Sequence, residues 1–60
     1  MKKGTEVTLC AQHTWCPVVK FDGKSVFISD DHGNKIEMLP ENWNSLIEKI
    51  EDGTLGIIPQ

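Results

Sequence analysis

The sequence has no arginine and no tyrosine, and its aromatic residues are two tryptophans and two phenylalanines. Every basic residue apart from histidine is a lysine. Without arginine there is no bidentate fork for phosphate or guanine. Combined with a net charge of −3, this argues against direct binding of nucleic acid. Two cysteines are too few for a secreted disulfide scaffold. No apolar run approaches the length of about 18 residues that a membrane helix needs, so no membrane partner is expected. Met1-Lys2-Lys3 is followed by Gly4-Thr5-Glu6 rather than by an apolar stretch. That start does not read as a secretory signal, and the expected location is cytoplasmic. Sixty residues predict one domain, 1–60. A chain of this size buries only about 60% of its unfolded surface, so its core is small.

What is present begins with one strong helical signal. Trp43, Leu46, Ile47 and Ile50 fall at i, i+3, i+4 and i+7, one stripe of an amphipathic helix. Pro40 suits the first helical position because its missing N–H would have had no intrahelical partner. Glu41 places negative charge at the positive end of the macrodipole. Gly53 can take the left-handed conformation that ends a helix. Asp52 stands at the wrong end for the dipole, with Lys49 as a partial offset. Full burial of the stripe would contribute about 6–12 kcal/mol.

The chain before Pro40 reads as sheet. In Glu6-Val7-Thr8-Leu9-Cys10, Val7 and Leu9 share one face, which predicts a short strand after a frayed start at 1–4. Two β-rich runs, 18–21 and 24–29, flank Asp22-Gly23, a strong hairpin signal. A two-residue loop would put Phe21 opposite Lys24 and Val19 opposite Val26; a three-residue loop with a bulge would shift that pairing. With the two-residue loop, Val19, Phe21, Val26 and Ile28 share a face, and Val18, Lys20, Ser25 and Phe27 take the other. Asp30-Asp31-His32-Gly33-Asn34 is a dense turn signal. The strand that follows, Lys35-Ile36-Glu37-Met38-Leu39, has the apolar parity to pair with the second run. The helix must then lie back on the sheet, since its stripe has nothing else to cover. Leu55, Ile57 and Ile58 are too apolar for a free tail and predict packing under the helix or against a second subunit.

Ligand-type residues cluster once. Cys10, His13 and Cys16 have the spacing Cys-x2-His-x2-Cys, and His32 could complete a tetrahedral zinc site. The pattern lacks the paired Cys-x2-Cys of zinc fingers and ribbons, so the leading expectation is no cofactor. On that reading the cysteines are small buried hydrophobes or form a bridge. A thiol-based redox role for Cys10 and Cys16 is a third reading. Asp30, Asp31 and Asn34 do not match an EF-hand loop and read as turn formers. No orienting third residue accompanies a Cys–His pair, and the chain is too small for a sheltered pocket, so no catalytic residue is assigned and no enzyme activity is expected. A single helix leaves one sheet face open. Trp15, Val18 and Phe27 are the candidate protein-binding residues on that face, unless the first strand or the tail folds over them.

Residues 16–53 also carry a family resemblance. Cys16 opens a strand, Val26-Phe27-Ile28-Ser29-Asp30-Asp31 forms a second, and Gly33-Asn34 turns into Ile36-Glu37-Met38-Leu39. Pro40-Glu41-Asn42-Trp43 then starts a helix that ends at Gly53. This resembles the small bacterial family called domain of unknown function 397, with its Cys-Val-Glu-Val strand, Val-x-Val-Arg-Asp-Ser strand, Gly turn and Pro-x-x-Trp helix. Ile28-Ser29-Asp30 stands where that family has Val-Arg-Asp. The resemblance implies no known enzymatic activity. It implies a small protein often encoded beside helix-turn-helix regulators and acting with them.

The expected fold is therefore α+β: an antiparallel meander of three to four strands with one C-terminal helix packed on one face. The expected function is a non-enzymatic interaction or regulatory module that binds itself or another protein, with a helix-turn-helix transcription regulator as the partner implied by the resemblance. The alternative is a small zinc-stabilised domain using Cys10, His13, Cys16 and His32.

Overall fold

A computed structural model describes residues 1–10, 16–30 and 32–59. Among them the chain forms β1 (Glu6–Thr8), β2 (Val18–Phe21), β3 (Val26–Ser29), β4 (Lys35–Met38) and α1 (Pro40–Glu51). The strands make one antiparallel sheet in the order β1-β2-β3-β4, so the expected meander with a C-terminal helix is the observed architecture. Strand β1 ends at Thr8 rather than at Cys10. The pairing continues for one more bond, from the Leu9 N–H to the Pro17 carbonyl at 2.7 Å.

The β2–β3 hairpin corrects the register. Phe21 opposes Val26 and Val19 opposes Ile28, so the connection spans residues 22–25 instead of Asp22-Gly23 alone. The cause is the Asp22 side chain. Its Oδ1 accepts the backbone N–H groups of Lys24 and Ser25, both at 2.8 Å, and Gly23 turns the chain at φ +96°. An aspartate that binds the backbone two and three residues on builds its own turn. The slip from the two-residue register is an even number of positions, so every side chain keeps its face.

The β3–β4 hairpin pairs Val26 with Met38 and Ile28 with Ile36, the parity expected from the sequence. Asp30 closes its turn: Oδ1 accepts the N–H of His32 at 2.7 Å and of Asn34 at 3.0 Å. Asp30 and Asn34 are thus turn formers, as read from the sequence, while Asp31 lies outside the described residues.

The start of the chain is tied down, not frayed. The Gly4 N–H donates to the Phe21 carbonyl at 2.8 Å, and the Phe21 N–H donates to the Thr5 carbonyl at 2.9 Å. A tight turn, closed by the Thr5 N–H on the Lys2 carbonyl at 3.0 Å, folds residues 2–5 over the hairpin. It also brings the Lys3 stem to 3.0 Å from the position a Cβ would occupy at Gly23.

The helix begins as its sequence requires. The Leu39 carbonyl accepts the N–H groups of Asn42 and Trp43, each at 3.0 Å, and Pro40 holds the first turn. At the other end Gly53 takes φ +88°. Asp52 turns its carboxylate to the Thr54 N–H at 2.8 Å, and Lys49 Nζ lies 4.0 Å from it. Trp43 shares a crevice with Met1, Phe21, Val26 and Pro40. The helix therefore docks on the face that carries Phe21 and Val26.

Coverage by the helix is smaller than its stripe predicts. Trp43 and Leu46 are half-buried, but Ile47 and Ile50 are exposed, so the expected 6–12 kcal/mol is not realised within one chain. Among the described residues the fully buried side chains are Val26, 1% exposed, and its neighbour Ser25. The reason is dimensional. A helix is about 10–12 Å across, whereas four strands spaced about 4.8 Å apart present a wider floor. One helix, packed beside β4 with Trp43 over Phe21 and Val26, covers part of such a sheet and leaves the rest open.

Candidate interaction surface

The pairing sorts the side chains into two faces of different chemistry. Glu6, Lys20, Phe27 and Glu37 form one row across the strands, and Thr8, Val18, Ser29 and Lys35 form another. Both rows lie on the face away from the helix. Val18 and Phe27, two of the residues expected to bind protein, are brought together here and are half-buried. Trp15, the third, lies outside the described residues.

Charges dress this face. Lys35 Nζ sits 5.1 Å from the centre of the Phe27 ring, within cation–π range. Lys20 Nζ lies 3.9 Å from a Glu6 carboxylate oxygen, with both side chains more than half exposed. The buried Ser25 hydroxyl donates to Glu37 Oε2 at 2.7 Å. Phe27 is thus framed by lysines and glutamates, which makes a polar surface with an aromatic centre.

The strand positions of the opposite face carry no charged side chain. Val7, Val19, Ile28 and Ile36 form one row, and Phe21, Val26 and Met38 form the next. The helix covers the second row through Trp43. The first row ends in the open at both edges: Val7 on β1 and Ile36 on β4 are exposed, Ile36 at 59%. On the helix Ile47 and Ile50 are exposed as well. Beyond it, Ile50, Leu55 and Ile57 line one shallow depression with Gly53 and Gly56. Ile57 is 98% exposed, so the tail does not fold under the helix of its own chain. Sequence reasoning lays Ile47 and Ile50 on the sheet because it treats the helical stripe as a lid of sufficient width, and it leaves Leu55 and Ile57 either under the helix or against a second subunit. The signal that could have found them is the ratio of one short helix to four strands.

Cys10 and Cys16 are joined as a disulfide. In that state neither sulfur is a thiolate, the form that binds zinc, so the zinc reading concerns the reduced chain. His13 lies outside the described residues. His32 is exposed in the β3–β4 turn. Among the described residues no group of three or more His, Cys, Asp or Glu side chains is arranged to hold a metal. A bridge of this kind persists in an oxidising compartment, and a reducing cytosol would open it. No helix among the described residues is long and apolar enough to cross a membrane.

Three turn carboxylates are held below their ordinary value of 3.8. For Asp22 the cause is the Ser25 N–H, then that of Lys24. For Asp30 it is the His32 N–H, then the Asn34 side chain. For Asp52 it is the Thr54 hydroxyl and N–H. Each shift comes from donors that favour the ionised form, which is the chemistry of a turn rather than of a reacting acid.

Comparison with protein-family models, with curated proteins and with solved structures found no match for this chain.

Proposed function

We propose that this protein is a non-enzymatic interaction module that acts by having its uncharged apolar surface covered by another protein chain. The observation that supports this reading is the set of large apolar side chains left exposed on separate elements: Val7 and Ile36 at the sheet margins, Ile47 and Ile50 on the helix, Leu55 and Ile57 in the tail. A single exposed apolar residue is ordinary, but exposed apolar side chains that line a common depression, as Ile50, Leu55 and Ile57 do, mark a contact surface. The charged face is the less favourable binding site, because contact there would strip water from the Glu6, Lys20, Lys35 and Glu37 side chains.

A photo-crosslinking residue placed at Ile36, with a control at Thr8 on the charged face, tests the reading. In an extract of the host cells, Ile36 should give a discrete adduct with an identified protein, either the same chain or another. Ile57→Asp should diminish that adduct, and Thr8 should not give it. The absence of any protein adduct from Ile36 would overturn the proposal. A helix-turn-helix regulator, the partner implied by the family resemblance, is one identity the adduct can take.

A further inference from the structure

We propose that the Cys10–Cys16 bridge is a redox latch on one end of β1. Reduction releases that end of the edge strand from β2, while its other end and the rest of the fold stay in place. This goes beyond the interaction-module reading and does not depend on it.

The two ends of β1 are fastened by different chemistry. At the start, the Gly4 N–H donates to the Phe21 carbonyl and the Phe21 N–H donates to the Thr5 carbonyl. At the far end the Leu9 N–H donates to the Pro17 carbonyl. Cys10 and Cys16, the next residue outward on each side of that bond, are joined as a disulfide. A reductant can break the second fastening and leaves the first untouched.

Little else holds the latched end. Strand β1 has three residues, all exposed, and among the described residues it pairs with β2 alone. Ends of this kind open at a free-energy cost close to zero, so a covalent tie decides whether they stay docked. The bridge supplies that tie by restricting the open chain.

The bridge also sits apart from the packing that holds the other elements. Neither cysteine lines the crevice of Phe21, Val26, Pro40 and Trp43, and neither belongs to the β2–β3 or β3–β4 pairing. Both are half-buried, whereas the fully buried side chains among the described residues are Val26 and Ser25. A disulfide that solvent reaches is open to attack by a thiolate and is of the labile kind.

The co-reactant is a dithiol. One of its thiolates attacks a bridge sulfur, breaking the S–S bond and forming a mixed disulfide, and its second thiolate resolves that intermediate. Two electrons and two protons pass to the protein, which ends with thiols at Cys10 and Cys16, and the dithiol ends as a disulfide. Re-oxidation reverses the exchange. The latch thereby converts the thiol–disulfide balance of the surroundings into order or looseness at one sheet edge.

Nuclear magnetic resonance of the full chain tests this in the oxidised state, after dithiothreitol, and after re-oxidation, with alkylation and mass measurement to count thiols in each state. On reduction the Leu9 backbone order parameter should fall from about 0.85 to below about 0.6, and the proton contact across the Thr8–Val18 pair should disappear. The contacts across Glu6–Lys20 and Val19–Ile28 should persist, and re-oxidation should restore the first pair. The double variant Cys10→Ser, Cys16→Ser should show the loose end with or without reductant. A Leu9 order parameter that ignores reduction would overturn the proposal, as would a bridge that dithiothreitol cannot open. Loss of the Val19–Ile28 contact together with that of Thr8–Val18 would also overturn it, because the bridge would then be a staple of the whole domain. A redox response that survives in the double variant would overturn it as well.

Discussion

The two faces of the sheet are built from the same strands and the same alternation, yet they solve different problems. On the charged face Phe27 is framed by Lys35 and by the Lys20–Glu6 pair, so it can stay half-open to water. On the apolar face Phe21 and Val26 share a crevice with Pro40 and Trp43 of the first helical turn, while Val7 and Ile36 are exposed. The comparison teaches that burial in a domain this small is a local privilege. It is complete at Val26, beside Trp43, and at Ser25, bonded to Glu37, while the remainder of the apolar face stays open.

The largest expected effect breaks the comparison directly. Trp43→Ala removes the roof over Phe21 and Val26 and should cost about 3 kcal/mol, the lower end of the range for large aromatic truncations. Urea unfolding followed by circular dichroism measures this. Phe27→Ala on the charged face should cost about half as much, since half-burial and a cation–π contact of about 0.5–1 kcal/mol are what it loses. Equal costs for the two substitutions would remove the distinction drawn between the faces.

Next in size is the Cys10–Cys16 bridge, which ties the end of β1 to the start of β2 across a separation of six residues. Closing so short a loop stabilises by about 2 kcal/mol in the chain-entropy account. Thermal unfolding with and without a reductant should show that loss. Strand β1 should be the first to lose hydrogen-exchange protection, because it is the shorter of the two edge strands and the other, β4, is also packed by the helix. Loss of protection at β4 before β1 would contradict this ordering.

The smallest effect concerns pH and sharpens the view that the acidic turns are structural. Asp22, Asp30 and Asp52 have lowered values in the folded chain. A carboxyl whose folded value lies below its unfolded one adds stability that is fully present above the unfolded value. That stability is lost as pH falls through the folded value. Melting temperature should therefore be insensitive to these groups at neutral pH and decline modestly below about pH 4. Asp30→Asn should make that acid decline shallower. An unchanged acid slope in the variant would show that the turn bonds of Asp30 add nothing.

Much of the fold was legible in the chain. Val18-Val19-Lys20-Phe21 and Lys35-Ile36-Glu37-Met38 alternate as strands do, and the turn residues Asp22, Gly23, Asp30 and Asn34 sit where the chain reverses. Pro40, Trp43 and Gly53 mark a helix that starts and stops as read. The loop register escaped, because an Asp-Gly pair serves both a two-residue turn and a longer one held by the Asp22 carboxylate. The anchored N-terminus escaped as well, since the bond from Gly4 to Phe21 joins residues with no periodic signal between them. Val18 and Phe27 share a face as the alternation reads, but it is the charged one, and the exposure of Ile36, Ile47 and Ile50 on the other side carries no local signal.

What the sequence determined by itself was the order of the elements and the face to which each strand side chain belongs. Those follow from alternation and turn chemistry, which act over a few neighbouring residues, and they survive an even slip in pairing. Only the tertiary structure decided how much of the apolar face one helix covers. Coverage depends on the width of the helix against the breadth of the sheet and on where Trp43 lands, and no local pattern encodes either distance.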